Sequence, residues 1–392
     1  MDYYKEALKK HQEWKGKIQT SLNCKIENQE DLSIAYSPGV AEPCKEIKKD
    51  KENAYKYTWK GNVIAVVSDG SAVLGLGNIG SQAALPVMEG KAALFKEFGN
   101  VNAVPIVLDT QDSEEIIACV KAFAPSFGGI NLEDISSPRC VEIERKLIEE
   151  LDIPVFHDDQ HGTAIVVTAG LINALKLVKK DSKDCTLTIS GAGAAGYSII
   201  KMIENIGIEN IYCFDSKGIL NKDNYENYNF VKKEIVDITN KNNENLSLEE
   251  AMKKSDIFIG VSTAGIVTKE MVKSMKKDPI IFALANPEPE ISYQDAIDAG
   301  ARVVATGRSD FPNQINNVLA FPGLFKGALK ASATKITENM KMAAALGIAN
   351  SIEEKEINEE FIIPNIFKEG LSDLVAKKVE EQAIKDKVIR NK

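Results

Sequence analysis

Two pairs of neighbouring acidic residues stand where apolar segments of the sequence end. Glu133 and Asp134 follow the run FGGINL, and Asp158 and Asp159 follow the run IPVFH. One helical segment separates the runs, so we expect two adjacent parallel strands whose carboxyl ends meet at one edge of a sheet. Four carboxylates in one crevice repel each other unless a divalent cation offsets their charge, and an all-oxygen ligand set favours Mg²⁺ or Mn²⁺.

Two other interpretations of these acids stay open. His157 and His161 flank the second pair and offer ring nitrogens as metal ligands instead, although a histidine near a strand end also serves as a structural hydrogen-bonding residue. Acidic residues at such positions also cap helices, which accounts for one of the four carboxylates more readily than for all of them.

Lys91 and Tyr36 are candidates for proton transfer. Lys91 lies in the segment VMEGKAALF, whose apolar residues predict a partly buried position on a helix. Partial burial lowers the pKa of an ammonium group, which is one way for a lysine to become a base near neutral pH. Tyr36 precedes the Pro-Gly pair of AYSPGV and offers a phenolic proton donor. The alternatives are a surface lysine whose stem covers apolar groups and a tyrosine that only packs.

The glycine-rich segment SGAGAAG has the features of a dinucleotide-binding turn. It follows the predicted strand CTLTIS and precedes the predicted helix YSIIKMIENIG, so backbone amides and a helix start can face a pyrophosphate. The next strand ends at Asp215, close to the offset expected for a carboxylate that binds the adenosine ribose. The alternative is a turn needed only for close packing. The candidate cofactor-binding residues of the turn are Gly191, Gly193, Ala194, Ala195 and Gly196.

A second segment, LGLGNIG, matches the same glycine pattern with Gly75, Gly77 and Gly80. We expect Pro86 to interrupt the helix that follows, and the next acidic strand end lies farther away than the dinucleotide pattern requires. We therefore interpret this segment as a mobile turn that shapes a substrate pocket.

From Asn62 onward, short apolar segments alternate with helical ones, which is typical of parallel α/β folds. A first series of predicted strands ends with IPVFHDD, and a second series begins with CTLTIS. A long helix from His161 to about Lys179 joins them, and LSDLVAKKVEEQAIKD predicts a closing helix. We predict a two-domain α/β protein, with a substrate and metal domain over residues 1–160 and a Rossmann-type dinucleotide-binding domain over residues 161–392.

The composition excludes several classes of protein. The chain has 392 residues, of which 44% are hydrophobic and 27% charged, so disorder or a fibrous repeat is not expected. Its net charge of -9 disfavours nucleic acid or an anionic membrane as a partner. Six widely spaced cysteines without a CxxC pair argue against a zinc site or disulfides. No segment has the pattern of a signal peptide or a bilayer span, so we expect a cytoplasmic protein.

Several of these segments, in the same order, resemble those of the malic enzyme family. They cover roughly residues 30–330 and comprise AYSPGV, VVSDGSAVLGLGNIG, EGKAALF, INLEDI, HDDQHGTA, SGAGAAG, ALANPEPE and NQINNVLAFPG. The length of the chain is similar to that of the short prokaryotic type. The resemblance implies oxidative decarboxylation of L-malate to pyruvate and CO₂, with a nicotinamide cofactor and Mg²⁺ or Mn²⁺.

The resemblance also implies roles for individual residues. Tyr36 would be the general acid, Lys91 the general base, and Asp158 a hydrogen-bonding support for that base. Asn286 and Asn317 lie where the family contacts its substrate and the nicotinamide ribose. The implied metal ligands are Glu133, Asp134 and Asp159.

The chain departs from larger members of the family in the segment before LGLG. Those members carry an arginine there, whereas this chain has SAV at residues 71–73. The group that binds a malate carboxylate is therefore open. The candidates are Ser71, Arg308, the two asparagines, or residues of a second subunit.

Further expectations concern the nucleotide, the oligomer and rival functions. Asp215 can accept hydrogen bonds from ribose hydroxyls but repels a 2′-phosphate, so NAD is expected in preference to NADP, with Lys217 as a residue that could neutralise such a phosphate. An amino-terminal helix without a partner favours a homodimer or a higher homo-oligomer. The rival functions are a malolactic decarboxylase that retains NAD and a non-catalytic regulator that binds a metabolite.

Overall fold

The computed structural model describes residues 3–73 and 75–390, and it contains two sheets. The first sheet is parallel, with the strand order β2-β1-β3-β4. The second has the order β10-β9-β8-β5-β6-β7 and is parallel except for the pair β6 and β7. The strands are β1 Val63–Ser68, β2 Asn102–Val107, β3 Gly129–Leu132, β4 Val155–His157, β5 Thr186–Ser190, β6 Asn210–Asp215, β7 Gly218–Ile219, β8 Ile257–Gly260, β9 Ile280–Ala283 and β10 Val303–Thr306.

Helices fill the connections between the strands. The α-helices are α1 Tyr3–Trp14, α2 Gln29–Ala35, α3 Ala41–Lys49, α4 Asn53–Tyr57, α5 Ser81–Gly99, α6 Ser113–Phe123, α7 Arg139–Glu150, α8 Asp158–Val178, α9 Ala194–Glu204, α10 Phe230–Ile238, α11 Leu248–Lys253, α12 Lys269–Ser274, α13 Tyr293–Asp298, α14 Phe321–Lys330, α15 Glu338–Ala349 and α16 Leu371–Lys385. The 3₁₀ helices are Trp59–Asn62, Ala124–Ser126, Ser182–Asp184, Lys222–Asn227, Asn317–Leu319 and Glu354–Glu356. The predicted α/β fold is confirmed.

In each sheet the strand order reverses at one strand, on whose two sides later strands are added. In the first sheet β1 lies between β2 and β3, and in the second sheet β5 lies between β6 and β8. Such a reversal of strand order opens a crevice at the carboxyl ends of the strands, where ligands of α/β proteins bind. The fold therefore provides one crevice for each sheet.

Helix α8 follows β4 directly and begins at Asp158, three residues earlier than the predicted start at His161. It packs against α9 and α15. Among the described helices, α8 is the one that is long and apolar enough to cross a membrane. However, 67% of the apolar stretch that meets this criterion is buried inside the molecule. That burial is the behaviour of a core helix.

Helix α5 continues through Pro86, so the expectation that this proline interrupts the helix is wrong. A proline inside a helix costs about 3 kcal/mol because it removes a hydrogen bond and crowds the preceding turn. Complete burial of a large apolar side chain stabilises by roughly 1.5–3 kcal/mol, and α5 buries Met88 and Phe95. The residue whose carbonyl loses its partner, Gln82, is exposed to water.

The first four helices, by contrast, bury none of their described residues. Of the nineteen exposed large hydrophobic residues in the described chain, thirteen precede residue 60. We call these thirteen residues the amino-terminal apolar surface. Its most exposed members after α1 are Leu22, Ile34 and Tyr36, at 77%, 69% and 68% exposure.

Candidate active site

The two acidic pairs do meet at the carboxyl edge of the first sheet. Strands β3 and β4 are parallel neighbours in which Leu132 lies opposite His157, so Glu133 and Asp158 leave the sheet side by side. Glu133, Asp134 and Asp159 each place one carboxylate oxygen within 4.8 Å of the others. We call these three residues the acid cluster.

The fourth acid, Asp158, turns away from the cluster toward Lys91. Its Oδ2 atom accepts hydrogen bonds from Lys91 Nζ at 2.7 Å and from Asn317 Nδ2 at 3.0 Å. Gly162 makes room for this side chain, because a Cβ atom there would lie 2.0 Å from Asp158 Oδ1. The glycine of HDDQHGTA is therefore required by the position of Asp158.

Lys91 lies between Asp158 and the acid cluster. Its Nζ atom is 2.9 Å from Glu133 Oε1 and 4.5 Å from the centre of the Phe321 ring, and the side chain is 14% exposed. Burial disfavours the ammonium form, but attraction to Asp158 and Glu133 outweighs it and raises the pKa of Lys91 above its ordinary value. The expectation that burial lowers this pKa is wrong.

The residues of the acid cluster fit a divalent cation. Burial, together with repulsion from Asp158, Asp159 and Asp134, raises the pKa of Glu133 well above its ordinary value despite the attraction of Lys91. This excess of negative charge in a buried site is what a cation would relieve. All three donors are carboxylate oxygens, a set that suits Mg²⁺ or Mn²⁺ better than zinc.

Neither histidine beside the acids belongs to the cluster. His161 Nε2 lies 2.8 Å from Glu144 Oε2, and His157 Nδ1 is 3.9 Å from Asp159 Oδ2. The side chain of His157 is buried, and burial lowers the pKa of its ring. In the described chain the group suited to a metal ion therefore contains carboxylates only.

The candidates for binding a substrate carboxylate lie in different surroundings. Ser71 donates to Asp69 at 2.6 Å and accepts from Arg139 at 3.0 Å, so its hydroxyl holds the loop after β1. Arg308 forms a two-pronged ion pair with Asp310, at 2.9 and 2.7 Å. Sequence reasoning missed Arg139. This residue lies at the start of α7, and only the packing of that helix brings it to Ser71.

The LGLGNIG turn lies against the loop that carries Asn286. A Cβ atom on Gly75 would lie 3.0 Å from the Asn286 carbonyl oxygen, and Gly75, Gly77 and Gly80 all have positive φ angles. Asn286 is exposed, and Leu74 lies outside the described residues. Asn317, in contrast, is already part of the Lys91 site through Asp158.

Tyr36 contacts none of these side chains. It ends α2 with its side chain exposed, and its hydroxyl makes no hydrogen bond to any described residue. The structure thus brings together Lys91, Asp158 and the acid cluster, but it leaves the tyrosine apart.

The SGAGAAG turn forms the floor of a cavity of about 680 Å³. Gly191 has φ 119°, and a Cβ atom there would lie 2.6 Å from the Val261 carbonyl oxygen. A Cβ atom on Gly196 would lie 1.8 Å from the Gly191 oxygen, whereas the space around Gly193 is open. Gly193 therefore leaves the approach to the first turn of α9, at Ala194 and Ala195, clear for a pyrophosphate.

Asp215 lies in the same cavity at the end of β6, paired with a lysine that sequence reasoning missed. Lys232 Nζ on α10 is 2.6 Å from Asp215 Oδ2, and the backbone N–H of Lys217 donates to Asp215 Oδ1 at 2.7 Å. The side chain of Lys217 is not part of the cavity lining, whereas that of Lys232 is.

Known proteins share both halves of this arrangement. Residues 15–115 match the family description "Malic enzyme, N-terminal domain", and residues 160–384 match "Malic enzyme, NAD binding domain". The chain is 53% identical over 390 residues to the bifunctional malic/malolactic enzyme of Bacillus subtilis, covering 100% of this chain and 95% of that protein. It is 54% identical over 376 residues to the NAD-dependent malic enzyme of Geobacillus stearothermophilus, covering 96% of this chain and 78% of that one.

The fold agrees with these sequence similarities. The crystal structure of an NAD-dependent malic enzyme from Thermotoga maritima superposes with a TM-score of 0.92 at 49% identity, covering 95% of this chain and 98% of that one. Curated relatives include both NAD-dependent and NADP-dependent malic enzymes. The chain therefore belongs to the malic enzyme family and is an oxidoreductase with an NAD(P)-binding domain.

Proposed function

We propose that this protein catalyses the NAD(P)-dependent oxidative decarboxylation of L-malate to pyruvate and CO₂ in the cytoplasm. The observation that carries the proposal is the position of Lys91 Nζ, 2.7 Å from Asp158 Oδ2 and 2.9 Å from Glu133 Oε1. A group able to move a proton thus lies beside three carboxylates suited to a cation. Malate bound there through its C1 carboxylate and C2 hydroxyl would bring that hydroxyl to Lys91.

The proposed cofactors are Mg²⁺ or Mn²⁺, held by Glu133, Asp134 and Asp159, and a nicotinamide dinucleotide held by the SGAGAAG turn. When bound, the cation supplies Lewis-acid polarisation of the C2 oxygen and the nicotinamide ring supplies a hydride acceptor. Neutralisation of Glu133 weakens one of the attractions that raise the pKa of Lys91, although the larger one, from Asp158, stays in place.

The side chains then divide the proton transfers. Lys91 takes the proton of the C2 hydroxyl as hydride leaves C2, and Asp158 and Asn317 keep Lys91 in place through their hydrogen bonds. When the bond from C3 to C4 breaks, CO₂ leaves and the enolate of pyruvate remains. Tyr36 gives its proton to C3 of this enolate, which yields pyruvate, and the proton that Lys91 took restores the tyrosine.

We propose that the protein is a homodimer or a higher homo-oligomer and that Tyr36 acts in the site of a neighbouring subunit. The tyrosine belongs to the amino-terminal apolar surface, whose exposed residues suit burial against a second copy. It makes no contact with Lys91 in its own subunit. A second copy would both cover this surface and supply the missing acid.

For the substrate carboxylate, we propose Asn286, which lies beside the LGLGNIG turn, and Arg308. Arg308 NH1 is 3.5 Å from the Pro287 carbonyl oxygen, next to Asn286. The ion pair between Arg308 and Asp310 is exposed, and such pairs contribute under about 1 kcal/mol. A dianionic substrate can therefore replace Asp310 at little cost.

For the nucleotide, we propose NAD in preference to NADP. Asp215 lies at the end of β6 in the cavity of the glycine turn, where it would face the adenosine ribose. Its carboxylate repels a 2′-phosphate, and Lys232 is engaged with it.

A malolactic activity is the second candidate, because the Bacillus subtilis relative bears the name bifunctional malic/malolactic enzyme. One assay separates the two reactions. The purified protein is incubated with malate, Mn²⁺ and either nucleotide, while the ultraviolet absorbance of the reduced nucleotide is recorded and the products are identified. Pyruvate with stoichiometric reduced nucleotide supports the malic reaction, whereas lactate without it supports the malolactic one. Absence of malate turnover with both nucleotides, in this assay and in one with Mg²⁺ in place of Mn²⁺, would contradict the proposal and favour a regulator.

A further inference from the structure

A buried carboxylate outside the acid cluster holds the turn that carries Asp158 and Asp159. Glu144, on α7, is 4% exposed and accepts hydrogen bonds from the backbone N–H of His157 at 2.8 Å and from His161 Nε2 at 2.8 Å. Gln160 Nε2 approaches the same carboxylate at 3.4 Å. Three N–H groups on both sides of the two aspartates thus converge on one side chain.

A lysine from the other half of the chain extends this contact. Lys341, on α15, is 4% exposed and lies 3.0 Å from His161 Nδ1 and 2.8 Å from Glu338 Oε1. A carboxylate can only accept from His161 Nε2. Lys341 Nζ is 3.0 Å from Nδ1 and 3.3 Å from Nε2, so the ammonium packs against the ring beside both nitrogens. Lys341, His161 and Glu144 therefore form one buried chain of polar contacts, which we call the buried relay.

The buried relay replaces a local helix cap. His157 is the N-cap residue of α8, and its side chain makes no capping hydrogen bond. In a capping box, an acid of the same helix accepts the N–H of the N-cap residue. Here Glu144 accepts that N–H from another helix, so the direction of the first turn of α8 depends on α7.

The same turn sets the position of a cluster acid. Asp159 Oδ2 accepts the backbone N–H of Asp134 at 2.8 Å, and its carboxylate must meet those of Glu133 and Asp134 within 4.8 Å. A rotation of the turn would move Asp159 relative to the other two. Residues behind metal ligands commonly matter in this way, and their loss lowers metal affinity or activity roughly 10- to 100-fold.

We propose that Glu144 and Lys341 are positioning residues that hold the first turn of α8 so that Asp159 completes the cation site. This inference rests on the proposed function, in which the acid cluster binds Mg²⁺ or Mn²⁺. The buried relay also joins α7 of the first half to α15 of the second. The geometry of the cation site thus depends on contacts that cross the molecule.

The test measures Mn²⁺ binding directly, without turnover. The free Mn²⁺ signal in electron paramagnetic resonance is titrated with the full chain, as wild type, Glu144→Gln and the matched control Glu142→Gln. Glu142 lies on the same helix and is exposed. We expect Glu144→Gln to raise the Mn²⁺ Kd about tenfold or more, with the control unchanged. An unchanged Kd in a folded Glu144→Gln protein overturns the inference.

Substitutions of His161 separate the polar contacts of the buried relay from mere packing. Glutamine at this position keeps one donor and one acceptor, whereas leucine keeps neither. We expect His161→Gln to bind Mn²⁺ more tightly than His161→Leu, and Lys341→Met to resemble His161→Leu. Equal Kd values for the two His161 variants overturn the inference, and this comparison decides the question if Glu144→Gln does not fold, as judged by circular dichroism.

Parallel measurements on the wild type keep the two proposals apart. Wild-type protein that neither binds Mn²⁺ nor turns over malate contradicts the proposed function. Wild-type protein that does both, together with variants of unchanged Kd, contradicts the positioning role alone.

Discussion

Lys91 and Asp158 form an ion pair whose side chains are 14% and 0% exposed. Removal of one member of a buried pair leaves the other uncompensated, which costs about 3–5 kcal/mol. Substitutions here change both chemistry and stability, so a loss of activity has to be separated from a loss of folded protein.

We expect Lys91→Ala to lower kcat for malate oxidation by at least about 100-fold, because a positioned general base contributes roughly 10²- to 10⁴-fold. Steady-state kinetics with malate, Mn²⁺ and NAD measure the effect, and thermal denaturation reports the folded state. Lys96→Ala is the matched control, since Lys96 lies on the same helix and is exposed. A folded Lys91→Ala enzyme with kcat close to that of the wild type would exclude Lys91 as the base.

We expect the preference between NAD and NADP to depend on the pair of Asp215 and Lys232. We expect the wild type to favour NAD and Asp215→Ser to shift the ratio of kcat/KM values toward NADP at least about tenfold, which corresponds to about 1.4 kcal/mol. The substitution removes the charge that repels a 2′-phosphate and frees Lys232 Nζ, now 2.6 Å from the carboxylate, to bind one.

The double variant Asp215→Ser with Lys232→Ala is the control for this shift. It should lose the gain with NADP, because the ammonium that would bind the phosphate is absent. A wild type that prefers NADP, or an Asp215→Ser ratio equal to that of the wild type, would show that another residue discriminates.

Part of the site could be predicted from where residues stand in the sequence relative to the predicted strands. The acids and the turn glycines follow the ends of strands, where the carboxyl edge of a parallel sheet decides their position. Arg139, Glu144, Lys232 and Lys341 could not be predicted, because each lies on a helix and meets its partner only through the packing of that helix. The raised pKa of Lys91 likewise depends on carboxylates that are distant in the chain.

Among the elements, α8 connects the fold most directly to the site, because its first turn carries Asp158 and Asp159. The helical spacing of apolar residues begins only after these acids, so it predicted that the helix starts at His161. The structure starts the helix three residues earlier, and Glu144, a residue of α7, accepts the N–H of its N-cap residue His157. For Pro86, local propensity was misleading, since burial of the α5 face outweighs the cost of the proline. The two-residue β7 strand is too short to give a pattern.

We expect Gly162→Ala to lower the free energy of unfolding by about 1–3 kcal/mol, the usual cost of overpacking. The added Cβ atom would lie 2.0 Å from Asp158 Oδ1, so the first turn of α8 must shift. Urea denaturation followed by circular dichroism measures the change. Gly90→Ala is the control in a helix interior, where the new Cβ would meet no atom within 4 Å apart from the nearby backbone of its own helix, and it should stabilise instead. Equal effects of the two substitutions would contradict this account of Gly162.

The amino-terminal apolar surface holds thirteen of the nineteen exposed large hydrophobic residues of the described chain. We expect light scattering at micromolar concentration to give at least twice the 42.9 kDa mass of the chain, because this surface has no cover in a single subunit. A fully active monomer would contradict the expectation.

A mixing experiment tests whether Tyr36 serves the neighbouring subunit. Tyr36→Phe and Lys91→Ala are each expected to be nearly inactive in malate oxidation. Subunit exchange between them should restore part of the activity, because one site of each heterodimer then combines an intact Lys91 with an intact Tyr36. No recovery, with exchange verified by mass spectrometry, would place the tyrosine in its own subunit's site.

We further propose that the substrate and metal domain ends near residue 160, within the first turn of α8, so this helix belongs to both halves of the molecule. Its 21 residues form a rod about 30 Å long. With such a lever arm, a tilt of about 5° at the first turn displaces the far end by roughly 3 Å. That end leads into β5 and the glycine turn. A change of tilt at the first turn of α8, which carries Asp159, would therefore also displace the residues that lead into β5.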